Sequence, residues 1–306
     1  MLRRIQNIIL RFTQFLPFGI ISAFKYALIL PYFIKNNEKD KYYHAIIDNY
    51  LTNLFKQIQI KPEKRIREEN VGPIWVCWWQ GEENMPAIVR SCWYNINKNI
   101  KSRPKILVTE DNYANYVEIP EIFKQRLKSN EISITHFSDI LRSYLLFQKG
   151  GYWLDATIFI NKPTDVIFDK HSFLTLSIPY TDKYFSKGRW SGFLLGGQVG
   201  HPLFKFMTEA YYKYWTKHRK VIDYFLMDYI INIAYNVSTF VRNDIDNKAL
   251  ICPNLYKLQH SLDLKFNENT KNLCDFSPFH KLTWKFNEQK PGRNTVREWL
   301  ECNPCL

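Results

Sequence analysis

Acidic side chains are absent from the first 35 residues of this 306-residue chain, which carry Arg3, Arg4, Arg11, Lys25 and Lys35. Between Phe15 and Phe33 the one charge is Lys25, and Pro17, Gly19 and Pro31 interrupt the apolar run. A membrane-spanning helix needs about 20 predominantly apolar residues, so this stretch points to a segment that lies on an anionic leaflet rather than crossing it. No small-residue cleavage pattern follows the run, which argues against a signal peptide. A soluble helical hairpin packed on the main domain is the alternative that composition leaves open.

Cysteine is also scarce. Six in a chain of this length are too few for a disulfide scaffold and fit free thiols in a reducing compartment. Cys302 and Cys305 form a C-x-x-C pair, but the lack of a second pair or a neighbouring βαβ pattern argues against a zinc or redox site there. Zinc-finger, RNA-binding and lysine-arm signatures are missing, so the formal net charge of +13 favours nucleotide phosphates or anionic lipid, and no nucleic-acid partner is expected. Charge spread for solubility is the bland reading of the same number. Internal repeats and low-complexity tracts are absent as well. Hydrophobic residues, by contrast, make up 46% of the chain, enough for a large core and against global disorder.

Taken in order, the chain reads as a basic amphipathic helical segment over residues 1–70, followed by one α/β domain over residues 71–306. Residues 73–79 form a compact aromatic and apolar run ending at Trp79, which suits a buried strand closed by the turn Gln80-Gly81. Helical spacing follows, with Pro86 in the first turn, and residues 105–108 read as the next strand. Strand, helix, strand opens an α/β sheet. A helix is expected over 120–128 and a short strand over 132–134. After these come a strand at 173–178, a glycine-bearing loop or hairpin at 190–200, a helix opened by His201-Pro202, and a helix over 221–235 carrying Asp223 and Asp228.

The organising stretch is residues 137–159. Ser138 is expected to cap a helix with Asp139 in its first turn, and Asp139 and Arg142, three apart, share a face. Gly150 stands where a helix end needs left-handed geometry. An apolar strand then delivers Asp155, and an acid in such a run asks for a reason. In open α/β sheets ligands lie beyond the carboxyl ends of strands, where Trp79 and Asp155 both fall. Singly these signals are weak: Asp139 with Arg142 can be a local ion pair, Trp79 core, and His280 a satisfied structural histidine. Together with His280, Lys281 and Trp284 they supply an aromatic face, sugar-binding acceptors and donors, an acid and late cations, which is what a sugar diphosphonucleotide requires.

The chain resembles the capsular polysaccharide synthesis glycosyltransferases. More distantly it is similar to the GT-A sugar transferases carrying a D-x-D motif, including yeast-type initiating mannosyltransferases and toxin glucosyltransferases. The likeness runs from about residue 73 to 286 and is densest at FSDILRSYLLFQKGGYWLDAT and FHKLTWK. It implies a GT-A-like, Rossmann-type mixed sheet flanked by helices, with an N-terminal helical appendage. It also implies transfer of a sugar from a nucleotide-sugar donor to a glycan or lipid-linked glycan acceptor, with retention at the anomeric carbon, at the inner, cytoplasmic face of the cell membrane. On this likeness Trp79 packs on the base, Asp139 and Arg142 grip sugar hydroxyls, and Asp155 stands first in the D-x-D and contacts sugar or metal. His280, Lys281 and Trp284 close over the diphosphate, and Asp223 and Asp228 match an acidic helix on the acceptor or acid/base side. A Mn or Mg ion is implied at Asp155, although Thr157 stands where the second acid would be. The rival reading is a noncatalytic, membrane-associated carbohydrate- or nucleotide-binding protein.

Overall fold

The computed structural model describes residues 2–61, 72–182, 184–286 and 292–302. Eight strands form among them: β1 (Ile74–Cys77), β2 (Lys105–Val108), β3 (Gly151–Asp155), β4 (Ile158–Ile160), β5 (Phe173–Ser177), β6 (Leu194–Gly197), β7 (Leu250–Ile251) and β8 (Phe279–Lys281). Six of them build a mixed sheet in the order β2-β1-β3-β6-β5-β7, while β4 and β8 pair apart from it. β1 runs parallel to both β2 and β3, and β6 lies antiparallel to β3 and to β5. The helices used below are α1 (Leu2–Phe15), α2 (Lys39–Phe55), α3 (Ala87–Asn99), α4 (Glu121–Lys128), α5 (Ile134–Lys149), α6 (Pro202–Lys217), α7 (Leu226–Val237), α8 (Thr239–Lys248) and α9 (Val296–Cys302). This is a Rossmann-like α/β architecture with N-terminal helices.

Strand periodicity sorts the sheet into two faces. Trp75, Trp153, Leu195 and Phe173 point into a core shared with α5, α6 and α7. Ile74, Val76, Tyr152, Leu154, Leu174 and Leu194 point into a second core filled by Ile88, Val89, Cys92 and Ile96 of α3 and by Val296 and Leu300 of α9. Side chains of this size contribute about 2–3 kcal/mol each when fully buried, so both faces hold the sheet in register. Trp75 and Trp153 face each other across β1 and β3. The Trp75 indole donates to the Gly150 carbonyl at 2.8 Å, which satisfies its buried N–H.

The reversal from α5 into β3 depends on two glycines with positive φ, Gly150 at 65° and Gly151 at 86°. A Cβ on Gly151 would stand 2.2 Å from the Pro73 carbonyl oxygen, so side chains are excluded where β3 enters beside β1. α5 itself begins a turn earlier than the sequence predicts. Ser133 is its N-cap, accepting from the His136 amide at 3.2 Å, and residues 132–134 form no strand. Ser138 instead donates back to the Thr135 carbonyl at 2.7 Å, and Asp139 sits inside the helix rather than in its first turn. The apolar run after Gly151 is two strands, because the chain turns at Ala156-Thr157 and β4 leaves to pair with β8. The helix expected from residue 221 starts at Leu226, where Asp223 closes a preceding turn by accepting from the Phe225 amide at 2.8 Å.

The N-terminal helices share the first core. Phe15 stacks on Tyr26 with ring centroids 3.9 Å apart, and Phe15, Phe18, Ile47, Leu51 and Phe55 are buried with α6 and α7. α2 is tied to this part of the domain by Tyr43 to Asp223 at 2.9 Å, Tyr50 to His218 at 2.7 Å and Asn232 to Asp48 at 3.0 Å. The opposite side of the segment exposes Ile5, Ile9, Leu10, Ile20, Ile21 and Phe33. No helix among the described residues is long and apolar enough to cross a membrane. The domain boundary expected near Val71 and Cys305 of the C-x-x-C pair lie outside the described residues.

Candidate active site

A cavity of about 780 Å³ opens beyond the carboxyl ends of β1 and β3. Of the residues expected to act together, Trp79, Asp139, Arg142, Asp155, Asp228, Lys281 and Trp284 all line it. Two do not. The His280 ring is fully buried beside Phe159, with Nε2 against the Cys274 carbonyl at 3.0 Å, because alternation along β8 sends Lys281 toward the cavity and His280 away. Asp223 accepts from the Tyr43 hydroxyl and the Phe225 amide at the foot of α7.

Asp155 is the hub. Period-two alternation puts it on the same side of β3 as Trp153, whose indole N–H donates to its Oδ1 at 2.9 Å. Arg142, projecting from α5, reaches the same Oδ1 at 3.1 Å, lies 3.4 Å from Asp139 Oδ1 and sits over the Trp153 ring at 4.8 Å. It also donates to the Gly192 carbonyl, which pins the guanidinium between helix and sheet. Lys281 approaches from the other side, with Nζ 3.2 Å from Asp155 Oδ2 and donating to the Thr157 hydroxyl.

Burial alone would raise the Asp155 carboxyl, but the charges of Lys281 and Arg142, with the Trp153 hydrogen bond, overcome it and hold the group down at about 2. Asp139 behaves oppositely. Burial pushes it up to about 7 against the pull of Arg142, and the negative charges of Asp155 and Asp228 add to the rise. Asp228 is lifted to about 6, again mainly by burial, although Trp190 donates to its Oδ1 at 2.9 Å. His136 is pushed down to about 4 by burial. Trp215 donates to its Nε2 at 3.1 Å, so the neutral ring carries its proton on Nδ1, 3.8 Å from Asp139. One carboxylate is thus held in its charged form beside two that burial lifts toward neutrality.

The aromatic side differs in detail from expectation. Trp79 is largely buried, its ring against Tyr113 and Phe137 at 5.3 Å each, so little of it is open to the cavity it lines. Trp78 and Trp284 form a second corner, with centroids 5.4 Å apart and Trp284 exposed. Trp78 belongs to the aromatic strand end that the sequence marks together with Trp79, whereas Trp190 has no role assigned from the sequence. The glycine-bearing WSGF segment was the available signal for Trp190, since it flags close backbone approach at a ligand site. Among the described residues no group of three or more His, Cys, Asp or Glu could hold a metal. Asp155 and Thr157 offer oxygens, but the Lys281 ammonium already lies against both, so the donor set does not fit a divalent cation as it stands.

Fold and cavity therefore define an α/β protein with a charged, tryptophan-rimmed pocket at the switch end of its sheet. The family model described as capsular polysaccharide synthesis protein matches residues 29–300. The chain belongs to that family. The match begins well before residue 71, consistent with α2 sharing the core of the domain. No curated protein matches the chain in sequence.

Because Asp139 ionises at higher pH in the fold than its unfolded value near 4, its contribution to stability falls as pH rises from about 4 to about 7. Asp139→Asn should therefore gain stability relative to the parent between pH 4.5 and pH 8, by on the order of 2 kcal/mol or more, in urea unfolding at the two pH values. A difference that does not change with pH would contradict the placement of this carboxyl.

Proposed function

We propose that the chain is a nucleotide-sugar-dependent glycosyltransferase of GT-A type that extends a surface polysaccharide. The observation that carries this reading is the ionised Asp155 at the carboxyl end of β3, clasped by Arg142 and Lys281 in a cavity large enough for a sugar nucleotide. Membership of the capsular polysaccharide synthesis family supports the glycan setting. In this reading the base lies against the corner of Trp78, Trp79 and Trp284, Asp139 and Asp155 accept from donor-sugar hydroxyls, and Arg142 keeps both carboxylates in place. Lys281 faces the diphosphate. Asp228, raised toward neutrality and opposite the hub, orients the acceptor hydroxyl.

Transfer breaks the bond between the anomeric carbon and the diphosphate oxygen, whose electron pair leaves with the nucleoside diphosphate. The acceptor oxygen forms the new bond on the same face of the sugar, with retention, and its proton passes to the departing phosphate oxygen. Charge fixed in place before reaction stabilises the growing negative charge on phosphate without reorganisation. His280 takes no part, being buried away from the cavity.

A screen of sugar nucleotides with purified protein should find one from which nucleoside diphosphate is released, and Asp155→Asn should lower that rate by about 100-fold or more. Binding without release would favour the noncatalytic carbohydrate- or nucleotide-binding alternative, and an Asp155→Asn rate equal to the parent's would remove this residue from the site.

We further propose that the exposed apolar side of residues 1–35 lies on the anionic inner face of the cell membrane, where a lipid-linked glycan acceptor is at hand. Five basic and no acidic residues there, beside Ile9, Leu10, Ile20 and Ile21, supply both terms of interfacial binding. The full chain should float with vesicles containing anionic lipid. The fourfold serine variant of Ile9, Leu10, Ile20 and Ile21, chosen because these side chains are exposed and leave the buried Phe15 and Phe18 intact, should not. Equal flotation of parent and variant would contradict the anchor.

A further inference from the structure

Lys281 is placed with more care than a surface lysine requires. β8 pairs with β4 in a register that sets Lys281 opposite Ile158, one residue past the Ala156-Thr157 turn. Two backbone bonds fasten the strand there: Lys281 N–H to the Leu255 carbonyl at 2.9 Å, and Leu282 N–H to the Thr157 carbonyl at 2.9 Å. The small two-stranded sheet thus brings a residue from 126 positions away back onto Asp155. At the end of the side chain, Nζ lies 3.2 Å from Asp155 Oδ2, donates to the Thr157 hydroxyl and sits 5.3 Å from the centre of the Phe193 ring. An ammonium has three N–H donors, and two are directed at these oxygens. The third remains for a ligand in the cavity that Lys281 lines.

From this geometry, and resting on the glycosyltransferase reading above, we infer that Lys281 is a built-in cation that receives the donor's diphosphate in place of a divalent metal. Asp155 Oδ2 and the Thr157 hydroxyl are the two oxygens that a bridging ion would use, and one fixed ammonium contacts both. Two cations, Arg142 and Lys281, already lie against Asp155. A divalent ion seated on the same two oxygens would have to displace the ammonium or lie against it, and like charges at that range repel. Thr157 fits the same account. A hydroxyl accepts from Lys281 without placing a second negative charge against the ammonium. During transfer Lys281 acts as a hydrogen-bond donor, and its bond strengthens as the phosphate oxygen gains the electron pair of the broken bond.

The test is calorimetric titration of the full chain with ADP, CDP, GDP, UDP and inorganic pyrophosphate, in EDTA and again with Mn or Mg. The expected result is that at least one nucleoside diphosphate binds with the same Kd, within about twofold, in both conditions. Lys281→Met should weaken it by roughly 30-fold or more in EDTA, and Lys281→Arg should retain most of the affinity. Binding that requires the metal, or EDTA-insensitive binding that survives Lys281→Met, overturns the built-in cation and leaves the glycosyltransferase reading standing. If none of the five probes binds in either condition, the donor site itself is wrong and the inference falls with it.

Discussion

The clasp of Asp155 between Arg142 and Lys281 is the constraint on which the rest of the site depends. A carboxylate at the end of a buried strand, alone, would be driven toward its neutral form. Here three donors from three separate parts of the chain keep it ionised: the α5 guanidinium, the β8 ammonium and the indole of Trp153 two residues upstream. Each donor explains a piece of architecture. Gly150 and Gly151 let α5 reverse tightly enough for Arg142 to lie beside the strand that follows it. The turn at Ala156-Thr157 releases β4 to pair with β8, and that pairing returns Lys281.

The same clasp organises the neighbouring acids. Arg142 is shared by Asp139 and Asp155 but lies closer to Asp155, and burial dominates at Asp139, so the two carboxyls settle at opposite ends of the scale. Asp228 is held from the far side by Trp190, on the segment that also supplies the Gly192 carbonyl to Arg142. Three chemically similar side chains thus acquire different protonation behaviour from their surroundings.

Much of this was legible in the sequence. The strand at 105–108, the helix opened by His201-Pro202, the glycine reversal and the odd carboxylate Asp155 all follow from local pattern. Errors arose where tertiary contacts choose between equally good local signals. Ser133 and Ser138 are both plausible caps, and helical spacing alone does not separate them; the core contact of Ile132 and the phase of α5 select Ser133. The phase of a three-residue strand is invisible without its partner, so His280 and Lys281 looked interchangeable until β4 assigned one to each face. How the N-terminal helices meet the domain could not be read locally, because Phe18 meets His218 and Tyr43 and Tyr50 bond Asp223 and His218, residues that no local window connects. The tie from Tyr43 to Asp223 places these helices next to Tyr224 and Phe225 on the cavity wall.

The central claim, that this cavity receives a nucleotide diphosphate through residues already in place, is tested most directly by an experimental structure of the chain soaked or co-crystallised with the nucleoside diphosphate it binds. The account predicts a phosphate oxygen within hydrogen-bond distance of Lys281 Nζ, Asp155 still bridged to Arg142, and the base against Trp78, Trp79 or Trp284. A diphosphate bound elsewhere on the chain, or one held by a metal ion with Lys281 turned away, would contradict it.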